Sequence, residues 1–206
     1  MLFRSIWKAK KMYILNAWNV EGVQYKEPKL KIQGIEAVRS STPHACREKL
    51  KKSFEIIMNK DEQTLQKFIA DFRAEFSTLP FADVAFPRGV KGLSKYRDKD
   101  MIYKGGTPIQ VKASLIFNNL LKQRNIKNIP PIIDGDKIKF VYLRSPNPIG
   151  ESVIATADYL PEELDLDSYI NRDMQFEKSF LEPLKAVTEI INWDVEKVST
   201  LEDFFV

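Results

Sequence analysis

The sequence predicts an α+β protein in which a β-hairpin precedes a mainly helical region that contains a second, small β-hairpin. Two stretches of alternating apolar residues, 12–18 and 23–32, flank the turn sequence NVEG and indicate the first hairpin. A stripe of apolar residues with helical spacing runs through 62–79 and indicates a core helix. Two later apolar segments, KIKFVYLR and SVIATA, enclose the turn sequence PNPIG and indicate the second hairpin.

Lysines are prominent in the first hairpin. The doublet Lys10-Lys11 is predicted as the start of the first strand, and Lys29 and Lys31 are predicted to share one face of the second strand. Pro28 has no backbone N–H to donate, which predicts an edge strand or a bulge. A sheet surface that simply faces water would also explain the lysines.

Two helices are predicted after the hairpin. Thr42 followed by Pro43 predicts an N-cap and a first helical residue, and the helix runs to about Asn59. Asp61 is a suitable N-cap for the second helix, whose apolar stripe indicates a place in the core and not a ligand site. The stripe consists of Leu65, Phe68, Ile69, Phe72, Phe76 and Leu79.

The remainder of the chain predicts two more helices. Residues 80–106 are predicted to be loop-rich, and the pair Thr107-Pro108 repeats the helix-start signal before a third helix that ends near 124. A last helix is predicted over 175–193. Pro183 lies inside it and predicts either a kink or a junction of two helices.

Composition excludes several classes of protein. No run of about 18 apolar residues occurs, which excludes a membrane-spanning helix. The N-terminal residues lack the apolar stretch of a signal peptide, so secretion is not expected. Cys46 is the one cysteine and His44 the one histidine, which excludes an internal disulfide and a zinc cluster of these residues and predicts a reducing cytoplasm.

The net charge of +4 conceals a gradient along the chain. Residues 1–60 carry +8, residues 61–150 carry +6 and residues 151–206 carry −10. With a pI near 9.0, a basic surface over the first three-quarters indicates nucleic acid as the partner. A lysine-rich surface exposed to water is the alternative.

Groups that could support an independent small-molecule enzyme are sparse. His44 and Cys46 are two residues apart and project to different sides of the predicted helix. The pair Asp134 and Asp136 is better explained as a turn around a glycine, and Asp165 and Asp167 have no third metal ligand. YKGGT places two glycines before a helix, which suits a phosphate, although a flexible loop explains it equally well.

Residues that suit a phosphate backbone are more numerous. Lysine, arginine, small hydroxyl side chains and helix N-termini hold a duplex without reading its sequence. Such groups are Lys10 and Lys11 with Tyr13, Arg39 with Ser40, Ser41 and Thr42, Arg88-Gly89, Lys104 to Thr107, and Lys137 with Lys139.

The segment from Lys10 to Pro43 resembles the palm-to-thumb passage of B-family DNA polymerases, most closely those of large tailed phages. That family has a KKxY element followed by a KxxGxE…[RK]S element. The matching residues are Lys10, Lys11 and Tyr13, then Lys31, Gly34, Glu36, Arg39 and Ser40. The resemblance continues in order through TPIQVKASLIFNN, DGDKIKFVYLRSPNPIG and QFEKSFLEPL, and so covers essentially the whole chain.

The resemblance implies a division of the chain by function. Residues 1–38 would be a C-terminal palm segment whose hairpin completes a palm sheet, and 39–198 a mainly helical thumb. Residues 199–206 would be a peptide that binds a sliding clamp. Its apolar side chains, Leu201, Phe204 and Phe205, would lie on one helical turn; packing on their own domain is the alternative.

The resemblance also implies which residues hold DNA. The KKxY group would hold the primer end through the minor groove, and the thumb would wrap the duplex. The candidate DNA-binding residues are Lys10, Lys11, Tyr13, Lys31, Gly34, Arg39, Ser40, Ser41, Thr42, Arg88, Lys104, Lys112, Lys137 and Lys178. This chain departs from the family at Gln110-Val111-Lys112 and at Glu182, which puts the assignments nearby in doubt.

No catalytic or metal-binding residue is expected in this chain, because neither a DxxSLYPS-like nor a YGDTDS-like motif occurs. The resemblance therefore implies the C-terminal chain of a split polymerase that is inactive alone. Its partners would be an N-terminal polymerase chain that holds Mg²⁺, primer-template DNA and a sliding clamp, in the cytoplasm of an infected bacterium. A fragment cloned from a longer polymerase would have the same sequence, and a stand-alone duplex-binding or regulatory module is the other interpretation.

Overall fold

The structure is a computed structural model and describes residues 5–35, 37, 39–96 and 106–197. The predicted α+β class is confirmed, with two three-stranded antiparallel sheets and several helices. The chain forms two compact units, one made of Met1–Thr78 with Phe176–Val206 and one of Leu79–Gln175. The predicted division into palm, thumb and clamp peptide is one of function, and it stays a prediction.

The elements follow one another along the described chain as short strands and helices. They are β1 (Ser5–Ala9), β2 (Met12–Val20), β3 (Val23–Gln33), α1 (His44–Asn59), α2 (Glu62–Phe76), α3 (Phe81–Val84), β4 (Phe86–Gly89), a 3₁₀ turn (Ser94–Tyr96), α4 (Ile109–Gln123), β5 (Lys137–Tyr142), β6 (Val153–Thr156), 3₁₀ turns (Glu162–Leu164 and Asp167–Tyr169), α5 (Arg172–Phe176), a π-helical turn (Glu177–Leu181), α6 (Glu182–Thr188) and a 3₁₀ turn (Glu189–Ile191). None of the helices in these ranges combines the length and hydropathy needed to cross a lipid bilayer.

The sheet of the first unit has the strand order β1-β2-β3, so β2 is central. The predicted hairpin is confirmed as β2 and β3, whereas β1 is not predicted from the sequence. Side chains of Ile6, Ile14 and Ile32 form a row across one face, and Ile14 is fully buried. Contacts of α1 with β2, and of the turn Glu189–Ile191 with β1, place helical structure on this face.

The prediction from Pro28 is confirmed, because β3 is an edge strand of the described sheet and is bulged at this residue. The strand pairs are Ala17 with Lys29 and then Asn19 with Gln24. Residues 25–28 of β3 therefore lie opposite the single residue Trp18. Residues in the bulge do not pair across the ladder, so the missing N–H of Pro28 costs no hydrogen bond between the strands.

The first helix begins one residue later than predicted. Pro43 has an extended backbone with ψ 144 and is the N-cap of α1, while Thr42 belongs to a turn in which its N–H donates to the oxygen of Arg39 at 3.2 Å. The prediction for α2 is confirmed at its start, since the Asp61 side chain accepts from the N–H of Thr64 at 2.8 Å. That hydrogen bond lowers the pKa of the Asp61 carboxyl.

Four phenylalanines form the centre of the first unit. Phe72 and Phe76 of α2 meet Phe176 and Phe180, with ring centroids 4.8–5.7 Å apart in edge-on or tilted arrangements. All four are at most 1% exposed. Aromatic pairs of this geometry stabilise a core beyond the effect of their buried area, so this cluster joins α2 to the C-terminal helical segment.

The last helical segment begins at Arg172, earlier than predicted, and is interrupted. A π-helical turn, Glu177–Leu181, separates α5 from α6, and Pro183 lies in the first turn of α6. Proline cannot donate to the carbonyl four residues earlier, and a wider turn immediately before it accommodates this loss. The predicted junction at Pro183 is thereby confirmed.

The region 80–106, predicted to be loop-rich, also contains short regular elements that the sequence did not predict. Here α3, β4 and a 3₁₀ turn lie in its described part. The strand β4 pairs with β5, and Phe86 stacks on Phe140 with ring centroids 5.2 Å apart. The predicted pair β5 and β6 is therefore two strands of a three-stranded sheet, against which α4 packs.

We expect Phe72→Ala to destabilise the first unit strongly, because it leaves a cavity among three other rings. The free energy of unfolding should fall by about 3–5 kcal/mol, measured by urea titration with far-UV circular dichroism. Ile190→Ala removes an apolar side chain that is 42% exposed in the same unit and serves as the control. Similar losses for both variants would contradict the role of the phenylalanine cluster.

Candidate nucleic-acid interface

Lys10 and Lys11 form the two-residue turn between β1 and β2. Ala9 pairs with Met12 across the ladder, so the doublet is not the start of a strand as predicted. Both lysines are exposed. A turn frees them from the alternation of a strand, in which neighbouring side chains point to opposite faces.

The sheet of the first unit has one face that is open to a partner. Trp7, Tyr13 and Gln33 form one cross-strand row on it, and Leu15 with Lys31 belong to the next. Trp7 is 52% exposed and Lys31 is exposed, in contrast to the buried Ile6 and Ile14 on the other side. We call the face that carries Trp7, Tyr13, Lys29 and Lys31 the open face.

Tyr13 is held in place at the centre of the open face. Its ring lies 4.5 Å from that of Trp7, between centroids, and its hydroxyl donates to Oε1 of Gln33. A further aromatic contact is made by Lys29, whose Nζ lies 4.0 Å from the centroid of the Tyr25 ring. The face thus combines packed aromatic rings with exposed cationic side chains.

Trp7 lies on this face but is not among the DNA-binding residues predicted from the sequence. Its neighbour in the sheet is Tyr13, but this is known only once β1 is placed beside β2. The strand β1 has five residues, of which only Ile6 is buried. It therefore shows no alternation of apolar and polar residues from which a strand could be predicted. An aromatic residue three positions before the lysine doublet is the one signal that the sequence contains.

The connection from β3 to α1 lies next to the lysine turn. Arg39 Nη2 donates to the carbonyl oxygen of Gly34 at 3.1 Å, and Arg39 and Ser40 are both exposed. Ser41 is half-buried and Thr42 is 4% exposed, which leaves Arg39 and Ser40 as the accessible side chains of this predicted group.

The N-terminus of α1 follows this connection directly. No side chain caps it, and its first turn contains no acidic residue. The N–H groups at the start of a helix point outward and carry the positive end of its dipole. Together with Arg39 and Ser40, this end of α1 suits a phosphate group.

Charge pairing distinguishes the candidate lysines from others on the surface. Within the described ranges no ion pair involves Lys10, Lys11 or Lys31. By contrast, Lys51 and Lys52 of α1 bond to Glu48 and Glu55 at 2.9 and 2.8 Å. Lysines that have no intramolecular carboxylate partner can meet phosphates without first breaking an ion pair.

The structure brings most of the predicted DNA-binding residues of the first unit together, but one is engaged elsewhere. Lys178 lies in the π-helical turn, and its Nζ is 3.3 Å from Oε1 of Glu182. Glu182 is the residue at which the chain departs from the polymerase pattern. Lys178 therefore has an acidic neighbour that competes with any phosphate.

Three of the predicted residues that the structure describes belong to the second unit. Lys137 is exposed at the start of β5, and Lys112 is half-buried on α4. Arg88 is half-buried, with its guanidinium carbon 5.6 Å from the Phe86 ring centroid, and burial lowers its pKa. Its Nη1 donates to the carbonyl oxygen of Pro87 at 2.9 Å, so this guanidinium is partly committed to its own strand.

Several predicted residues lie outside the described part of the chain. Lys104 and Glu36 are among them, as are the residues of the clamp-binding prediction, Leu201, Phe204 and Phe205. Their assignments stay predictions.

Cys46 is not placed for nucleophilic chemistry. The thiol is fully buried in α1, with Sγ 3.1 Å from Oγ of Ser179. Burial raises the pKa of the Cys46 thiol to about 12, because the thiolate would lose its hydration, and the bond to Ser179 opposes this only in part. His44 is exposed on the same helix.

Among the described residues, no group of three or more His, Cys, Asp or Glu side chains is arranged to hold a metal ion. These residues therefore do not fit a magnesium site.

No protein-family model matches the chain. The sequence is 33% identical to the DNA-directed DNA polymerase of Enterobacteria phage T4 in an alignment 206 residues long, which covers 98% of this chain and 22% of that polymerase. This chain is homologous to part of a phage DNA polymerase. The DNA-directed DNA polymerase of Escherichia phage RB69 is 32% identical in an alignment 207 residues long, which again covers 98% of this chain and 22% of the relative. The predicted resemblance is confirmed. The chain covers only 22% of each relative, which agrees with its being similar to a C-terminal portion.

We expect Cys46 to resist thiol reagents until the protein unfolds, because its thiol is buried and stays protonated. Labelling by an aromatic disulfide at neutral pH should be at least about tenfold slower than in urea, followed by absorbance. A variant that combines Cys46→Ser with Ser168→Cys, at an exposed position, should react at once in both conditions. Equally fast labelling of native Cys46 would show that the site opens freely.

Proposed function

We propose that this chain is the DNA-holding C-terminal part of a replicative B-family phage DNA polymerase. The observation that carries the proposal is the open face with Tyr13 and Lys31, together with the exposed Lys10–Lys11 turn that contacts Gly34 in the connection to α1. The proposal is also supported by the match of this chain to phage polymerases along 98% of its length. The function is to grip the primer-template duplex while chemistry occurs elsewhere.

The open face, the Lys10–Lys11 turn and Arg39 together suit the two kinds of contact that a moving polymerase needs. Lys10, Lys11 and Arg39 would neutralise backbone phosphates, which holds a duplex without regard to its sequence. Tyr13, fixed by Trp7 and Gln33, would lie against the minor groove at the primer end. Sequence-independent contacts are required because the polymerase must hold every product that it makes.

The catalytic groups would be supplied from outside this sequence. Neither aspartate motif of the family occurs in it, and the described residues do not fit Mg²⁺. We infer that Mg²⁺ belongs to the carboxylates of the remaining polymerase, on a separate N-terminal chain. The assembled enzyme would act in the cytoplasm of the infected bacterial host.

The C-terminal residues would attach the polymerase to a sliding clamp. Leu201, Phe204 and Phe205 have the spacing with which one helical turn fills an apolar pocket. Deleting residues 199–206 should then remove stimulation by the clamp and leave unassisted extension intact.

We expect the doublet Lys10→Ala/Lys11→Ala to bind primer-template duplex about tenfold more weakly than the parent chain. Each lost phosphate contact should also reduce the slope of log affinity against log salt by about 1, measured by fluorescence anisotropy. The control Lys51→Ala/Lys52→Ala removes the same charge from lysines that bond to glutamates. If the control loses as much affinity, the duplex is held by general electrostatic attraction and not by a specific contact with Lys10 and Lys11.

Primer extension tests the proposal as a whole. The chain would be co-expressed with the polypeptide of the same genome that carries the two aspartate motifs, and the pair purified on a tag placed on one of them. We expect co-purification, and Mg²⁺-dependent extension only when both are present. Extension that is equally good without this chain would refute the proposal. Tight duplex binding with no association would favour the stand-alone module.

A further inference from the structure

Gly34 is in direct backbone contact with the lysine turn. Its φ is +71, a conformation that favours glycine. A Cβ added at this position would lie 2.0 Å from the carbonyl oxygen and 3.0 Å from the carbonyl carbon of Lys11, and 3.1 Å from Cγ of Met12. The nearest obstacle is main chain and not the end of a flexible side chain.

On its other side, Gly34 contacts the connection to α1. Its carbonyl oxygen accepts the hydrogen bond from Nη2 of Arg39 at 3.1 Å. One residue therefore touches the lysine turn through its Cα and the arginine through its oxygen. Its neighbour Gln33 pairs with Tyr13 and accepts the tyrosine hydroxyl, which fixes the end of β3 from which Gly34 projects.

We propose that Gly34 is a positioning residue that sets the Lys10–Lys11 turn against Arg39, so that both groups meet one stretch of duplex together. This inference rests on the proposed DNA-holding function. It adds that the lysine turn and Arg39 must be held in a fixed position relative to each other. The polymerase resemblance implies that Gly34 is among the contacts to the duplex; the structure assigns it an indirect role, exerted through the residues that it spaces.

The consequence of any side chain at Gly34 is a displacement of the lysine turn. To reach ordinary van der Waals contact, the Lys11 carbonyl or the connection at Gly34 must move by roughly 1.5 Å. A shift of about 1 Å in groups that must act together is enough to lose much of their joint effect. The lysines would remain exposed and charged, but in the wrong place.

Close approach separates Gly34 from the other glycines that the structure describes. At Gly22, where φ is +85, and at Gly150, where φ is +65, an added Cβ would have nothing within 4 Å. Both thus match Gly34 in backbone conformation without its contact. The two positions allow the effect of close packing to be measured apart from backbone strain.

The experiment compares Gly34→Ala with Gly22→Ala and Gly150→Ala in duplex binding by anisotropy at several salt concentrations. We expect Gly34→Ala to weaken binding by about tenfold or more and to reduce the salt slope by about 2, the share of the two lysines. Gly22→Ala and Gly150→Ala should stay within about twofold of the parent chain. Full binding and an unchanged salt slope in folded Gly34→Ala would overturn the inference.

A double-mutant cycle distinguishes positioning from general loosening of the fold. In the Lys10→Ala/Lys11→Ala background, Gly34→Ala should cost less than about threefold, because the groups that it displaces are gone. An undiminished cost there would also overturn the inference. If the lysine doublet itself has no effect on binding, the proposed function fails first, and the two failures are thereby told apart.

A second variant covers the case in which Gly34→Ala does not fold. One glycine inserted between Lys10 and Lys11 lengthens an exposed turn, which folded proteins usually tolerate. It keeps every charge and leaves Gly34 unchanged, but it releases the turn from its fixed place. We expect a loss of binding similar to that of the lysine doublet, and unimpaired binding would contradict positional control.

Discussion

The register of β2 between its two neighbours is the constraint on which the rest of the first unit depends. In this register Ile14 lies between Ile6 and Ile32 on the buried side, and Tyr13 lies between Trp7 and Gln33 on the open side. A slip by one residue would exchange the two faces, exposing the isoleucines and burying the tyrosine. The same hydrophobic preference that builds the core therefore also aims the aromatic pair outward, and no separate device is needed to form the interface.

Stability and binding use different parts of this unit. The phenylalanine cluster and the isoleucine row are inside, while the ion pairs on the helices are exposed and contribute at most about 1 kcal/mol each. Lys51 and Lys52 illustrate such pairs. Because the lysine turn takes no part in the core, its charge can change with little effect on folding. Gly34 is the exception, since it directly follows the last residue of β3 and its backbone contacts the lysine turn.

The helical stripe and the main hairpin could be predicted because each repeats its own period over many residues. Both β1 and β4 could not, since five residues with one buried position and a segment containing proline and glycine become strands only through pairing with β2 and β5. The lysine turn was hidden for a related reason: a turn made of lysines lacks the glycine or asparagine that marks most tight turns. Of the candidate interface, the charged residues were predictable from type and spacing. Trp7 and the approach of Gly34 to Lys11 depend on which strands become neighbours.

The discontinuous first unit has a consequence for how the protein is made. Phe72 and Phe76 leave the ribosome about 100 residues before Phe176 and Phe180, which complete their cluster. At a translation rate of about 5–20 residues per second, the apolar stripe of α2 waits several seconds for its partners. The second unit is contiguous in sequence and emerges entirely within this interval. Order of synthesis thus leaves the first unit open while the second can fold, and the nascent chain is most exposed to aggregation during that wait.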